Sequence, residues 1–313
     1  MRRTLAALVA LIGSVCLIVG LSTPSVAGAA TTKPLPVGNI LGGFATEITS
    51  PTSMPPGSNV AGCKPSAQHP YPVILVHGTL ANEAFSWQAL SPELANAGYC
   101  VYAFNYGETS LTLGHFYGLA DIATAAGQLG TFVNQVLATT GASKVDLVGH
   151  SQGGMMPRYY LKFLGGAAHV NMLVGLAPSN YGTTVDGLAN LYTDFASITG
   201  LSLSEVGGPA LDEQVQGSAF LDNLNAGGDT VAGVKYVVIE SKYDEVVTPY
   251  SNAFLRGAGA QNILLQNQCS IDFTEHLGII YDPVALQDVI NALGTDSPTF
   301  RPTCSLVLPV FSG

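Results

Sequence analysis

Residues 144–164 constrain this chain more than any other stretch. Lys144-Val145-Asp146-Leu147-Val148 is a short β-branched and apolar run that reads as a buried strand. Gly154-Met155-Met156-Pro157-Arg158-Tyr159-Tyr160-Leu161-Lys162-Phe163-Leu164 has the length and apolar spacing of a helix. Between them lies Gly149-His150-Ser151-Gln152-Gly153. A G-x-S-x-G at a strand-to-helix turn forms a sharp elbow with the serine at its tip. Side chains two residues before or after that serine would collide with neighbouring backbone, so only hydrogen fits there. The elbow holds the Ser151 hydroxyl clear of the sheet edge, and the positive end of the following helix points at it. Ser151 is therefore the candidate nucleophile.

The chain opens with Met1-Arg2-Arg3, is almost wholly apolar from Leu5 to Leu21, and reaches the triplet Ala27-Gly28-Ala29. This is the pattern of a secretory signal peptide over residues 1–29. A membrane anchor is the rival reading of the apolar run; Pro24 and the small-residue triplet favour removal. Loss of the leader takes Arg2, Arg3 and no acid, leaving nine basic against 21 acidic residues, a net of −12. So acidic and sparsely charged a surface argues against nucleic acid and other polyanions as partners. Apolar contact is then the route to any lipid surface. Four cysteines stand outside the leader: Cys63, Cys100, Cys269 and Cys304. An even number in an exported chain implies two disulfides, with three pairings open. Pairing neighbours in sequence, Cys63 with Cys100 and Cys269 with Cys304, is favoured. The chain has no C-x-x-C, H-E-x-x-H or EF-hand loop, so no metal and no cofactor are implied.

Residues 30–62 are rich in Pro, Gly, Ser and Thr and read as an extended N-terminal arm. Residues 63–313 read as one catalytic domain. Further strands are predicted over Tyr71–Val76, Tyr99–Phe104, Val170–Leu176, Val234–Glu240 and Asn262–Gln266. Helices are predicted over Phe85–Ala97, Leu119–Thr139, Pro209–Asn225 and Asp282–Leu293, with residues 179–208 irregular. Strands alternating with helices imply an α/β fold, a mostly parallel central sheet with helices on both faces.

A serine hydroxyl is a weak nucleophile at neutral pH, so Ser151 needs a base, and the base an orienting acid. In this architecture the partners follow in the order serine, acid, histidine. Of six histidines only His169 and His276 lie beyond Ser151. His169 leaves no room for an acid-bearing strand before it, which selects His276. The acid belongs on the loop after the strand ending at Glu240; Asp244 is the choice there, with Glu245 and Glu240 as runners-up. Asp272 reads as a loop-forming residue. Backbone N–H groups of Gln152, which follows the nucleophile, and Thr79, after the first strand, are placed to form the oxyanion hole. His77 and His150 read as structural.

His77-Gly78-Thr79, the Gly149–Gly153 pentapeptide, Ala177-Pro178, Asp244-Glu245-Val246-Val247 and Glu275-His276 together resemble the secreted lipases of the α/β-hydrolase superfamily. The bacterial triacylglycerol lipase group and Candida antarctica lipase B are the points of likeness, from about Cys63 to Cys304. The resemblance implies the α/β-hydrolase fold, the same oxyanion residues at Thr79 and Gln152, and the same two disulfides. It implies a secreted serine ester hydrolase, a lipase cleaving acylglycerols through an acyl-enzyme on Ser151. The expected partner is a small-molecule or lipid ester; contact with a lipid–water interface and the oligomeric state stay open, a monomer being favoured. The alternatives are a short-chain esterase, a cutinase-like polyesterase or a peptidase with the same triad. A non-catalytic binding protein on this scaffold is a further alternative, against which the intact serine, acid and histidine speak. Within residues 179–225, Leu188, Leu191, Tyr192, Phe195, Ile198, Leu201 and Leu203 read equally as a lid or acyl-pocket segment and as ordinary core.

Overall fold

The computed structural model describes residues 33–110, 114–200 and 207–310. The chain divides into two units, Met1–Lys33 and Pro34–Gly313. The leader read over residues 1–29 lies outside the described residues, and the fold below is that of the second unit.

Strands β1 (Val73–Val76), β2 (Val101–Phe104), β3 (Val145–His150), β4 (Val170–Leu176), β5 (Lys235–Glu240) and β6 (Ala260–Leu264) pair in the order β2-β1-β3-β4-β5-β6. Every pairing is parallel. Successive residues face opposite sides, so Val73 and Leu75 join one buried cluster while Ile74 and Val76 join the other. Helices α1 (Ile40–Thr49), α2 (Glu83–Ser86), α3 (Leu90–Asn96) and α10 (Pro283–Leu293) contribute to the first cluster. Helices α4 (Ile122–Thr140), α5 (Gln152–Phe163), α7 (Pro209–Glu213) and α8 (Ala219–Asn225) contribute to the second. Cover on both faces is why the central strands are almost uniformly apolar. Among the described residues, no helix is long and apolar enough to cross a membrane.

The elements differ from the sequence expectation in five places. Residues 40–49 of the expected extended arm form α1. The Asn39 side chain caps it by accepting from Gly42 N at 2.9 Å, and Phe44 stacks on Phe85 with centroids 5.0 Å apart. The helix expected over Phe85–Ala97 is broken into α2 and α3. Pro92 has no N–H to give the Gln88 carbonyl, which instead accepts from Gly38 N at 2.9 Å. Residues 179–208, expected to be irregular, contain helix α6 (Val185–Thr199), capped by Thr184 and ended by left-handed Gly200. The helix expected over Pro209–Asn225 stops at Glu213 as α7, and the chain turns through left-handed Gly217 (φ 75°) before Ser218 caps α8. The strand expected over Asn262–Gln266 starts and ends two residues earlier, as β6, because Leu265–Gln268 form a single helical turn, α9.

The disulfides are Cys63–Cys100 and Cys269–Cys304. They span 37 and 35 residues, and each such loop is worth about 4 kcal/mol in the chain-entropy model. Reduction is therefore expected to lower the melting temperature by about 10 °C or more. Calorimetry with and without reductant, alongside thiol titration, checks this. Unchanged melting after all four thiols become titratable would contradict it.

Candidate active site

Ser151 stands between β3 and α5 with φ 53° and ψ −123°, a region that a residue with a side chain occupies only when its surroundings hold it there. Its N–H donates to Leu176 O in β4 at 2.9 Å, hooking the turn onto the neighbouring strand. A Cβ on Gly149 would strike the Gly153 carbonyl, and one on Gly153 would strike the carbonyls of Val76 and His77. The two glycines are thus required by close backbone approach. Gly78 has the same function opposite them, because a Cβ there would lie 3.1 Å from Ser151 Cβ.

Asp244 and His276 come from loops after β5 and α9 and meet with Nδ1 and Oδ2 2.8 Å apart, both side chains fully buried. Asp244 Oδ1 accepts from Val246 N at 2.8 Å and Val247 N at 2.7 Å, which fixes the carboxylate. The hydrogen-bond pattern assigns the tautomer: Nδ1–H donates to Asp244, leaving Nε2 as the bare, basic nitrogen. That Nε2 is buried without a hydrogen-bond partner. Burial alone would lower the imidazole pKa. The charge and hydrogen bond of Asp244, with Glu245 and Glu275 nearby, outweigh burial and leave it raised above 6.5.

His150 ties this histidine loop to the elbow. Its Nε2–H donates to the His276 carbonyl at 2.9 Å, and the two rings lie 4.8 Å apart. Burial, then the neighbouring His276, holds the His150 pKa well below its usual value, so it stays neutral. His77 holds the loop after β1: Nδ1–H donates to Gly78 O at 2.8 Å, and the ring stacks on Tyr106 at 4.4 Å. The structural reading of both histidines agrees with these contacts, but the tie from His150 to His276 was not legible in the sequence.

The runners-up for the acid point elsewhere. Glu240 Oε1 accepts from Ser241 N at 2.7 Å, and burial pushes its carboxyl well above the usual range. Glu245 meets the His276 backbone N–H at 3.4 Å, and burial lifts it to about 8. Asp272 accepts from Thr274 N at 2.9 Å, the loop-forming role expected of it. Among the described residues, no group of three or more His, Cys, Asp or Glu side chains is arranged to hold a metal ion.

Thr79 lies opposite Gln152, and their side chains are joined. Thr79 Oγ1 accepts from Gln152 Nε2 at 3.0 Å and from Gln214 Nε2 at 2.9 Å. With both acceptor sites occupied, the hydroxyl proton is the one group Thr79 has left to offer a third partner. Gln214 follows α7, 135 residues from Thr79, and its Oε1 is itself held by Ser179 Oγ at 2.9 Å. Sequence reading missed it, because a polar contact at that separation leaves no periodic trace.

A narrow cavity with about 350 Å³ of empty space, counting its open mouth, is lined by both Thr79 and Leu277, the residue after His276. Phe85 from α2, Phe44 and Glu47 from α1, and Leu191 and Phe195 from α6 line the rest of it. Leu188 and Tyr192 pack beside these in a cluster with Leu80, Phe116 and Val246. Leu201, Leu203 and the side chain of Ile198 lie outside the described residues.

The family model for lipase (class 2) matches residues 70–288. The chain is similar to the triacylglycerol lipases of Pseudarthrobacter phenanthrenivorans and Burkholderia plantarii, 40% identical to each over 94 residues. Those matches cover 28% of this chain and 27% and 24% of the two relatives, so it spans about a quarter of the length of the curated relatives it matches. Among solved structures, Aspergillus fumigatus lipase B superposes with a TM-score of 0.58 at 24% identity, covering 84% of this chain and 63% of that one. The mature Bacillus licheniformis lipase BlEst2 superposes with a TM-score of 0.55 at 16% identity, covering 76% and 96%. At these identities the two structures speak to the fold, which is that of the α/β-hydrolases. With the family model spanning β1 to the middle of α10, this chain belongs to the class 2 lipase family.

Proposed function

We propose that this chain is a secreted serine ester hydrolase, a lipase that cleaves acylglycerol esters through an acyl-enzyme on Ser151. The observation that carries the reading is the buried 2.8 Å contact of His276 Nδ1 with Asp244, which leaves Nε2 bare on a loop held against the Ser151 elbow. Ser151 Oγ attacks the ester carbonyl as Nε2 takes its proton. Asp244 stabilises the imidazolium without becoming protonated. The carbonyl oxygen, now negative, receives hydrogen bonds from the backbone N–H groups of Thr79 and Gln152. Gln152 heads α5, where the first N–H groups have no acceptor within the helix. The imidazolium returns the proton to the departing alcohol. Water, deprotonated by the same Nε2, then releases the acid and restores Ser151.

Cavity residues Leu191 and Phe195 make α6 an acyl-binding wall in this reading. The two disulfides fit an oxidising compartment, in keeping with the signal peptide read over residues 1–29. An acidic surface leaves apolar contact as the way onto a lipid–water interface, and the reading needs no second copy of the chain and no cofactor. Hydrolysis of p-nitrophenyl esters of increasing chain length, together with an emulsified triacylglycerol, tests the substrate class. Sustained turnover of long acyl chains and of the emulsion is expected. Rates that collapse beyond butyrate would replace the lipase reading with a short-chain esterase.

A further inference from the structure

The cavity beside the proposed catalytic residues has mostly apolar walls, with one acid among them. Glu47 is 5% exposed, and its Oε1 is buried without a hydrogen-bond partner. Two hydroxyls in its surroundings, those of the cavity residue Thr199 and of Tyr281, have their protons committed elsewhere. Thr199 Oγ1 donates to Phe195 O at 2.9 Å, and Tyr281, the titratable group that senses Glu47, donates its hydroxyl to Phe85 O. No charged neighbour contributes to its ionisation. Burial alone lifts the carboxyl to about 8, so it is neutral over most of the working range. An acid with a free oxygen at the wall of an apolar pocket is costly unless something meets it.

We propose that Glu47 is a specificity-determining residue, and that the pocket is built for an ester whose otherwise apolar body carries a hydroxyl group that hydrogen-bonds to this carboxyl. The class follows from the chemistry of the wall. A cation would have to shed its water with no ionised partner to receive it, and an anion would meet a group that ionises to its own sign. A hydroxyl both donates and accepts, matching the carbonyl and O–H of a neutral carboxyl, and its hydrocarbon neighbours suit Phe44, Leu191 and Phe195. α1 makes this possible. Its cap at Asn39 and the stacking of Phe44 on Phe85 set the helix against the pocket, with Glu47 one turn further on.

The inference rests on the ester-hydrolase reading and is tested separately from it. The hydroxyl has two sources, the acyl chain and the alcohol, so two matched pairs are measured by kcat/KM. One pair is p-nitrophenyl octanoate against its hydroxylated octanoyl counterparts; the other is propyl octanoate against glycerol monooctanoate. In at least one pair the hydroxylated ester is expected to be preferred about tenfold or more. Glu47→Leu should bring that ratio to about one while improving the plain ester, and Glu47→Gln should keep part of it. No preference in either pair, or a ratio unchanged by Glu47→Leu, would overturn the proposal. Wild-type turnover of p-nitrophenyl acetate, whose two-carbon acyl group carries no hydroxyl, separates the two readings. Without it the ester-hydrolase reading itself fails; with it, unaltered discrimination removes only the role of Glu47.

Discussion

Replacing Ser151 or His276 with alanine is expected to lower kcat about a million-fold, and replacing both should lower it hardly further. The reason lies in how the work is divided. Without His276 the serine hydroxyl keeps its proton; without Ser151 the bare Nε2 has no nucleophile to activate. Removing the second member of a pair already disabled takes away nothing that still acts. The oxyanion donors and the pocket survive both changes, so residual rates should stay above the uncatalysed reaction by about a thousandfold. Asp244→Asn tests the third member. An amide can present N–H to Nδ1 and reverse the ring tautomer, with an expected loss of about ten-thousandfold. Single-turnover kinetics on a p-nitrophenyl ester measure all of these. Losses that multiply in the double variant would mean that the two residues act independently, contrary to the mechanism.

The second large effect concerns the elbow and is read as stability. Gly149→Ala sets a Cβ against the Gly153 carbonyl, and Gly153→Ala sets one against the carbonyls of Val76 and His77. These are backbone atoms of β1 and α5, which cannot rotate aside as a long side chain would. Relief requires the first turn of α5 to move away from β1 and β3. A cost of about 4 kcal/mol or more is expected for each, at the upper end for single substitutions. Gly127→Ala is the contrasting case. Gly127 lies within α4 with nothing within 4 Å of an added Cβ, and alanine there should stabilise by about 0.5–1 kcal/mol. Denaturant midpoints for the three variants check the contrast. Equal midpoints for Gly149→Ala and wild type would show that the elbow is not so tightly packed.

The parts of this molecule that the chain announces locally are those governed by local rules. Buried strands such as Val170–Leu176 are legible because cover on both faces demands unbroken apolar runs. Ser151 is legible because the elbow admits only glycine on either side. Asp244 and His276 follow from the chain order that the sheet imposes. The illegible parts are set by contacts between distant segments. α1 contains Gly42 and Gly43, which disguise it as loop; it is held by Asn39 and by Phe85, in a different part of the chain. α6 is the exception: its threonine cap, Asp186 in its first turn, terminal glycine and amphipathic spacing are all local signals of a helix. Gln214 and Glu47 gain their significance only once folding brings the first to the Thr79 hydroxyl and the second to the pocket that Thr79 lines.

Covalent labelling probes the proposed chemistry most directly. Intact protein, with both disulfides formed, is treated with an alkyl fluorophosphonate and mapped by peptide mass spectrometry. A single adduct on Ser151 is expected, formed rapidly in wild type and lost in His276→Ala, because phosphonylation needs the same deprotonated oxygen as ester attack. Folded protein that stays unlabelled, or that carries the adduct on another residue, would contradict the assignment of Ser151 as the nucleophile.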